Sequence, residues 1–137
     1  MVDLYRMRQL MRQTLKVQWK IEQEEARATK TTTVLTGMPH GGGTKDKVAE
    51  GAIKVAELKE AYREILSELK RMKHELDPLI STLENADDRA VMRLRYINGF
   101  SPEDIADAIF KTDRSVYYYL SRAEDHLARN FPDNVKK

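Results

Sequence analysis

The side chains in this sequence that could do chemistry are few and scattered. His40, His74 and His126 stand alone, with no second histidine at ligand spacing and no cysteine anywhere. A zinc site needs three or four converging ligands, so no metal and no disulfide is expected. The carboxylate pairs Glu24-Glu25 and Asp87-Asp88 lie among polar residues near helix ends or on solvated faces, where negative charge is ordinary and needs no catalytic role. Gly41-Gly42-Gly43-Thr44-Lys45 carries the residue types of a phosphate loop, but with threonine ahead of lysine. The reading is a protein that is not an enzyme and holds no cofactor.

What remains is contact chemistry, and it depends on helices. From Val2 to about Ala28 the apolar residues Leu4, Met7, Leu10, Met11, Leu15, Val17 and Ile21 gather on one arc at 3.6 residues per turn. Arg8, Arg12, Lys16 and Lys20 repeat every fourth residue on the other side. Such a stripe can touch phosphates, but simple solvation of the helix is the preferred reading. Residues 31–44 combine a threonine run, Pro39 and four glycines, which predicts a flexible connector.

From Lys45 to Asp77 a heptad is sustained. Val48, Val55, Tyr62, Leu69 and Leu76 recur at sevens, and Leu58, Ile65 and Met72 fill the second seam position, which Gly51 leaves blank. A stripe about 50 Å long cannot be buried inside so small a domain and needs another helix beside it. Either the first helix folds back as an antiparallel hairpin or the seam pairs between chains, giving a homo-oligomer. Pro78 predicts the end of the long helix, because proline lacks the amide proton and disfavours helical geometry in the residue before it. The expected domains are therefore 1–77, two long helices, and 78–137.

In the second domain a short lead-in helix is expected over 79–83. A helix with Val91, Leu94 and Ile97 inward follows, closed by a left-handed Gly99. Ser101-Pro102-Glu103-Asp104 is a helix start: a serine cap, proline at the first position, and carboxylates on the positive end of the dipole. Ile105, Ala106 and Ile109 face inward, and the small Ala106 lets a following helix cross closely. Thr112 or Asp113 caps the last helix, whose inward line is Val116, Leu120, Ala123 and Leu127. Arg114, Ser115, Tyr117, Tyr118, Ser121 and Arg122 are left on other faces, the outline of a recognition helix. Tyr119 lies nearer the buried line and reads as core or rim.

Over residues 83–127 the chain resembles region four of bacterial sigma factors. The resemblance rests on Val91-Met92-Arg93-Leu94-Arg95-Tyr96, Gly99, Ile105-Ala106, Val116 and Leu120-Ser121-Arg122-Ala123. That module lays its last helix in the major groove of promoter DNA. The resemblance implies that Thr112, Arg114, Ser115, Tyr117, Tyr118 and Arg122 approach double-stranded DNA, with Ser121 on the same face. Phe110 and Lys111 depart from the family, which usually has a glycine and an apolar residue there. A left-handed Phe110 would cost roughly 1–2 kcal/mol, which leaves open a turn built differently. The combination of helical front, glycine-rich connector and sigma-like end is similar to phage or prophage regulators of late transcription in Gram-positive bacteria.

The resulting expectation is an all-α, cytoplasmic, sequence-specific DNA-binding regulator that contacts DNA and RNA polymerase, with no membrane partner. Charged residues are 34% and aromatics 7% of the chain, in keeping with helices and much solvated surface. No apolar run is long enough to span a bilayer, and no signal peptide is expected. Residues 78–137 carry nine Lys/Arg against ten Asp/Glu, which argues against strong non-specific DNA binding. Two other readings follow from the same features: a DNA-packaging small subunit of a phage, and a polymerase-binding adaptor that does not touch DNA.

Overall fold

The structure is a computed structural model that describes residues 1–35 and 43–137, with side chains described for 1–28 and 49–137. The protein is all-α. Among the described residues five helices are joined in the order α1 (Leu4–Leu35), α2 (Gly43–Ile80), α3 (Ala86–Met92), α4 (Pro102–Ile109) and α5 (Asp113–Asn130). Two two-residue strands, β1 (Val2–Asp3) and β2 (Val135–Lys136), complete it. The chain divides into two compact units, residues 1–11 with 68–137, and residues 12–67.

The boundary does not lie at Pro78, where the sequence places it. Helix α2 runs through this proline to Ile80, and the Ser81 amide still donates to the Asp77 carbonyl at 3.2 Å. Leu76 and Ile80, four residues apart, are both completely buried, and burying them holds the last turn helical despite the missing donor. Residues 79–83 consequently form no separate lead-in helix: two of them finish α2, and the Thr82 hydroxyl and amide close a turn on the Leu79 carbonyl.

The first unit is built around α5. Val116, Leu120, Ala123 and Leu127 form its buried line as the spacing predicts. They share a core with Val91, Met92, Tyr96, Ile105 and Ala106, with Leu4, Met7 and Leu10 of α1, and with Leu69, Met72, Leu76 and Ile80 of α2. β1 and β2 pair in parallel, Val2 with Val135 and Asp3 with Lys136, and both valines are buried. Asn85 caps α3 by accepting the amides of Asp87 at 2.8 Å and Asp88 at 3.2 Å.

After Met92 the helix widens into a π-helical turn, Arg93–Ile97, in which the Asn98 amide reaches back five residues to the Arg93 carbonyl at 3.0 Å. The extra residue rotates the buried face. Val91, Met92 and Tyr96 are buried, whereas Leu94 and Ile97, expected inward, are only half-buried. Gly99 closes the segment at φ 78°, as anticipated.

In the second unit α1 and α2 lie antiparallel, with Glu25 and Lys59 paired at 3.2 Å. Val17 and Ile21 of α1 and Val55, Leu58, Tyr62 and Ile65 of α2 are half-buried along the seam; the remaining heptad residues Leu69, Met72 and Leu76 belong to the first unit and are buried in its core. The side chain of Val48 lies outside the described residues. Leu15, assigned to the apolar arc of α1, is instead 69% exposed, because the seam of a helix pair is narrower than the arc the sequence suggests. The connector read at 31–44 is shorter: α1 includes residues 31–35 and α2 begins at Gly43, so the threonine run is helical. The rest of the connector, 36–42, lies outside the described residues.

Candidate nucleic-acid interface

Helix α4 begins as its sequence dictates. The Ser101 hydroxyl accepts the Asp104 amide at 3.1 Å, with Pro102 at the first helical position. It ends at Phe110, which does take the left-handed conformation, φ 57° and ψ 43°, and the Lys111 amide closes the turn on the Ala106 carbonyl at 3.0 Å. The Phe110 ring recovers none of the strain by burial, being 94% exposed. Thr112 is the cap of α5, accepting the Ser115 amide at 3.1 Å and donating its hydroxyl to Ser115 at 2.9 Å.

These caps and the buried line of α5 turn one face of the helix outward. The residues assigned to DNA contact fall into two groups on it. Arg114, Tyr118 and Ser121 are exposed on the outer face, with Tyr118 60% exposed. The others are engaged within the fold. Thr112 and half-buried Ser115 hold the cap, and Tyr117 donates its hydroxyl to Glu103 of α4 at 3.0 Å. Arg122 forms a bidentate pair with Asp88, its Nη2 at 2.7 Å and its Nε at 3.1–3.2 Å from the carboxylate oxygens. Its guanidinium also lies against the rings of Tyr118 and Tyr119, at 5.1 and 5.4 Å from their centroids. Tyr119 is half-buried, as the periodicity suggests.

The charge on this face is therefore partly neutralised from within. Asp88 is buried, not the solvated carboxylate its sequence context suggests, and its pairing raises the Arg122 pKa further. Glu103 is held below the usual carboxylate range, first by its own backbone amide and then by the Tyr117 hydroxyl, and the same hydrogen bond pushes the Tyr117 phenol up.

The sequence reading missed a second polar cluster behind this face. Arg8 donates to the Tyr96 hydroxyl at 2.8 Å, Tyr96 donates to Glu124, and Arg8 lies 3.6 Å from the Glu124 carboxylate. Arg8 thus leaves the basic stripe of α1 to tie that helix to the π turn and to α5. Burial pushes the Tyr96 phenol well up, and the Glu124 carboxylate adds to the shift. One signal for the cluster was present: Glu124 follows Ala123 and precedes Leu127 on the inward arc of α5, where a carboxylate needs a partner.

Among the described residues no cluster of His, Cys, Asp or Glu could hold a metal ion, and no helix is long and apolar enough to cross a membrane. The fold and this surface define an all-α protein in which a capped pair of helices presents one mixed polar and aromatic helix face. The chain belongs to the family described as protein of unknown function DUF1492, the match covering residues 30–128 and so α2 through most of α5. No curated protein matches the chain, and no solved structure does.

Proposed function

We propose that the protein is a sequence-specific DNA-binding transcription regulator of phage or prophage type, in which α4 and α5 act as a sigma-region-four-like helix-turn-helix with RNA polymerase as a partner. The observation that carries the reading is the outer face of α5. Arg114, Tyr118 and Ser121 point away from the core, while the opposite side of the same helix is locked by Val116, Leu120, Ala123 and Leu127. A guanidinium, a phenol and a hydroxyl on a rigid, capped helix are suited to base edges and phosphates of the major groove. Arg122 supports the surface by fixing Tyr118, not by reading a base.

The test is selection of bound duplexes from a random library, followed by affinity measurements on the selected site and a scrambled control across salt concentrations. An enriched motif whose affinity falls with salt at a slope near −0.9 per phosphate contact supports the reading. Absence of any enrichment at low salt rejects it.

A second reading, a polymerase-binding adaptor that does not touch DNA, is favoured by one observation. Phe110 is 94% exposed and Tyr117 53% exposed beside the same helix, while the Arg122 charge is spent on Asp88. Exposed aromatics with few uncommitted cations suit a protein partner better than phosphates.

A further inference from the structure

The unit formed by residues 12–67 has a face that its own two helices do not cover. None of its described residues is fully buried: the seam residues Val17, Ile21, Val55, Leu58, Tyr62 and Ile65 are half-buried, and Leu15, Trp19 and Ile53 are 69%, 60% and 59% exposed. A pair of helices without a third layer can bury only one edge of each stripe. Between them runs a groove of about 430 Å³ lined by residues including Trp19, Lys20, Gln23, Lys54, Glu57 and Leu58.

The charges beside this groove are biased by helix, basic on α1 and acidic on α2, although Glu24 of α1 and Lys54 of α2 also line it. Helix α1 carries exposed Arg12, Lys16 and Lys20 at steps of four, and α2 carries exposed Glu50, Glu57 and Glu64 at steps of seven. Lys20 and Glu64 make no ion pair within the chain among the described residues. The Glu25–Lys59 contact sets the register of the two helices. Counting five residues back from Glu25 and five forward from Lys59 places Lys20 level with Glu64.

We propose that this face is a self-association surface whose occupant is the same face of a second copy of the chain, forming an antiparallel four-helix bundle. The charge pattern selects the arrangement. A two-fold axis parallel to the helices puts α1 of each copy over α2 of the other, basic row against acidic column, twice. The alternative two-fold axis would stack α1 on α1 and α2 on α2, like charge on like. In the selected arrangement Lys20 of each chain faces Glu64 of its mate, and each Trp19 ring is covered. The proposal does not depend on DNA binding by α5.

The experiment is sedimentation of the full-length chain over a range of concentrations, alongside Lys20→Glu, Glu64→Lys and an equimolar mixture of the two variants. The wild type is expected to dimerise, with the emission of Trp19, the one tryptophan, moving to the blue as concentration rises. Each variant alone repels itself at two symmetric positions and should dimerise at least about tenfold more weakly. The mixture should recover a heterodimer, because glutamate at 20 then meets lysine at 64 and lysine at 20 meets glutamate at 64. A single-chain mass at every concentration, reversals without effect, or variants that keep their helical circular dichroism but fail to complement would each overturn the proposal. An effect confined to one chain's own hairpin could not be rescued by mixing.

Discussion

At the scale of single residues, the arginines of α5 separate into two roles. Arg114 is exposed at the start of the helix, and its replacement by alanine is expected to weaken binding to a selected duplex by about 1–3 kcal/mol with no change in melting temperature. Arg122→Ala should behave in the opposite way. It strands the buried Asp88 carboxylate without its bidentate partner, costing about 1–3 kcal/mol of stability, visible as a lower melting temperature before any DNA is added. Phe110 carries a third expectation. Because its ring is exposed and its backbone left-handed, Phe110→Gly should stabilise the fold by about 0.5–1 kcal/mol in a denaturant titration, the strain relief exceeding the added chain entropy. The resemblance to sigma modules marked this residue as out of pattern. Only the backbone angle showed that Phe110 is left-handed and that the turn carries the cost.

At the scale of elements, the Arg8–Tyr96–Glu124 cluster joins α1, the π turn and α5, and it makes stability depend on pH. Tyr96 has a folded pKa raised above its unfolded value near 10. Below that value both states hold the proton and the contribution is complete. Above it the unfolded chain ionises while the folded one does not, so stability falls as pH rises from about 10 towards the folded pKa. Urea unfolding at pH 9, 10 and 11 should show the decline, and Tyr96→Phe should flatten it while lowering stability at neutral pH by about 1 kcal/mol. The helices themselves were legible from spacing and caps. Ser101, Thr112 and Gly99 act where the sequence placed them. The π turn was not legible, because an inserted residue leaves no mark on composition and shifts the inward face from Leu94 and Ile97 to Met92 and Tyr96.

At the scale of the whole molecule, self-association of the two-helix unit would link stability to concentration. Melting temperature should rise with protein concentration in the wild type and lose that dependence in Lys20→Glu, measured by calorimetry. Two α5 helices would then be available to one DNA molecule, and a selected site with two-fold symmetry would reflect the dimer. Should the selection give no motif while the concentration dependence persists, the self-association surface would stand and the adaptor reading would take precedence.

The sequence by itself determined the all-α class, the seam on α2, the caps that start α4 and α5, and the buried line of α5. These are local properties: hydrophobic period, turn chemistry and propensity act over a few residues and survive whatever the helices pack against. The tertiary structure alone decided that the compact units divide at residues 11 and 67 and not at Pro78, that α1 and α2 pair within the chain, and that Arg122 and Arg8 are spent on buried carboxylates. Each of these depends on partners distant in sequence, 34 residues apart for Arg122 and Asp88 and 88 for Arg8 and Tyr96. A charged side chain reads the same in sequence whether it meets water or a buried partner, and only packing selects between them.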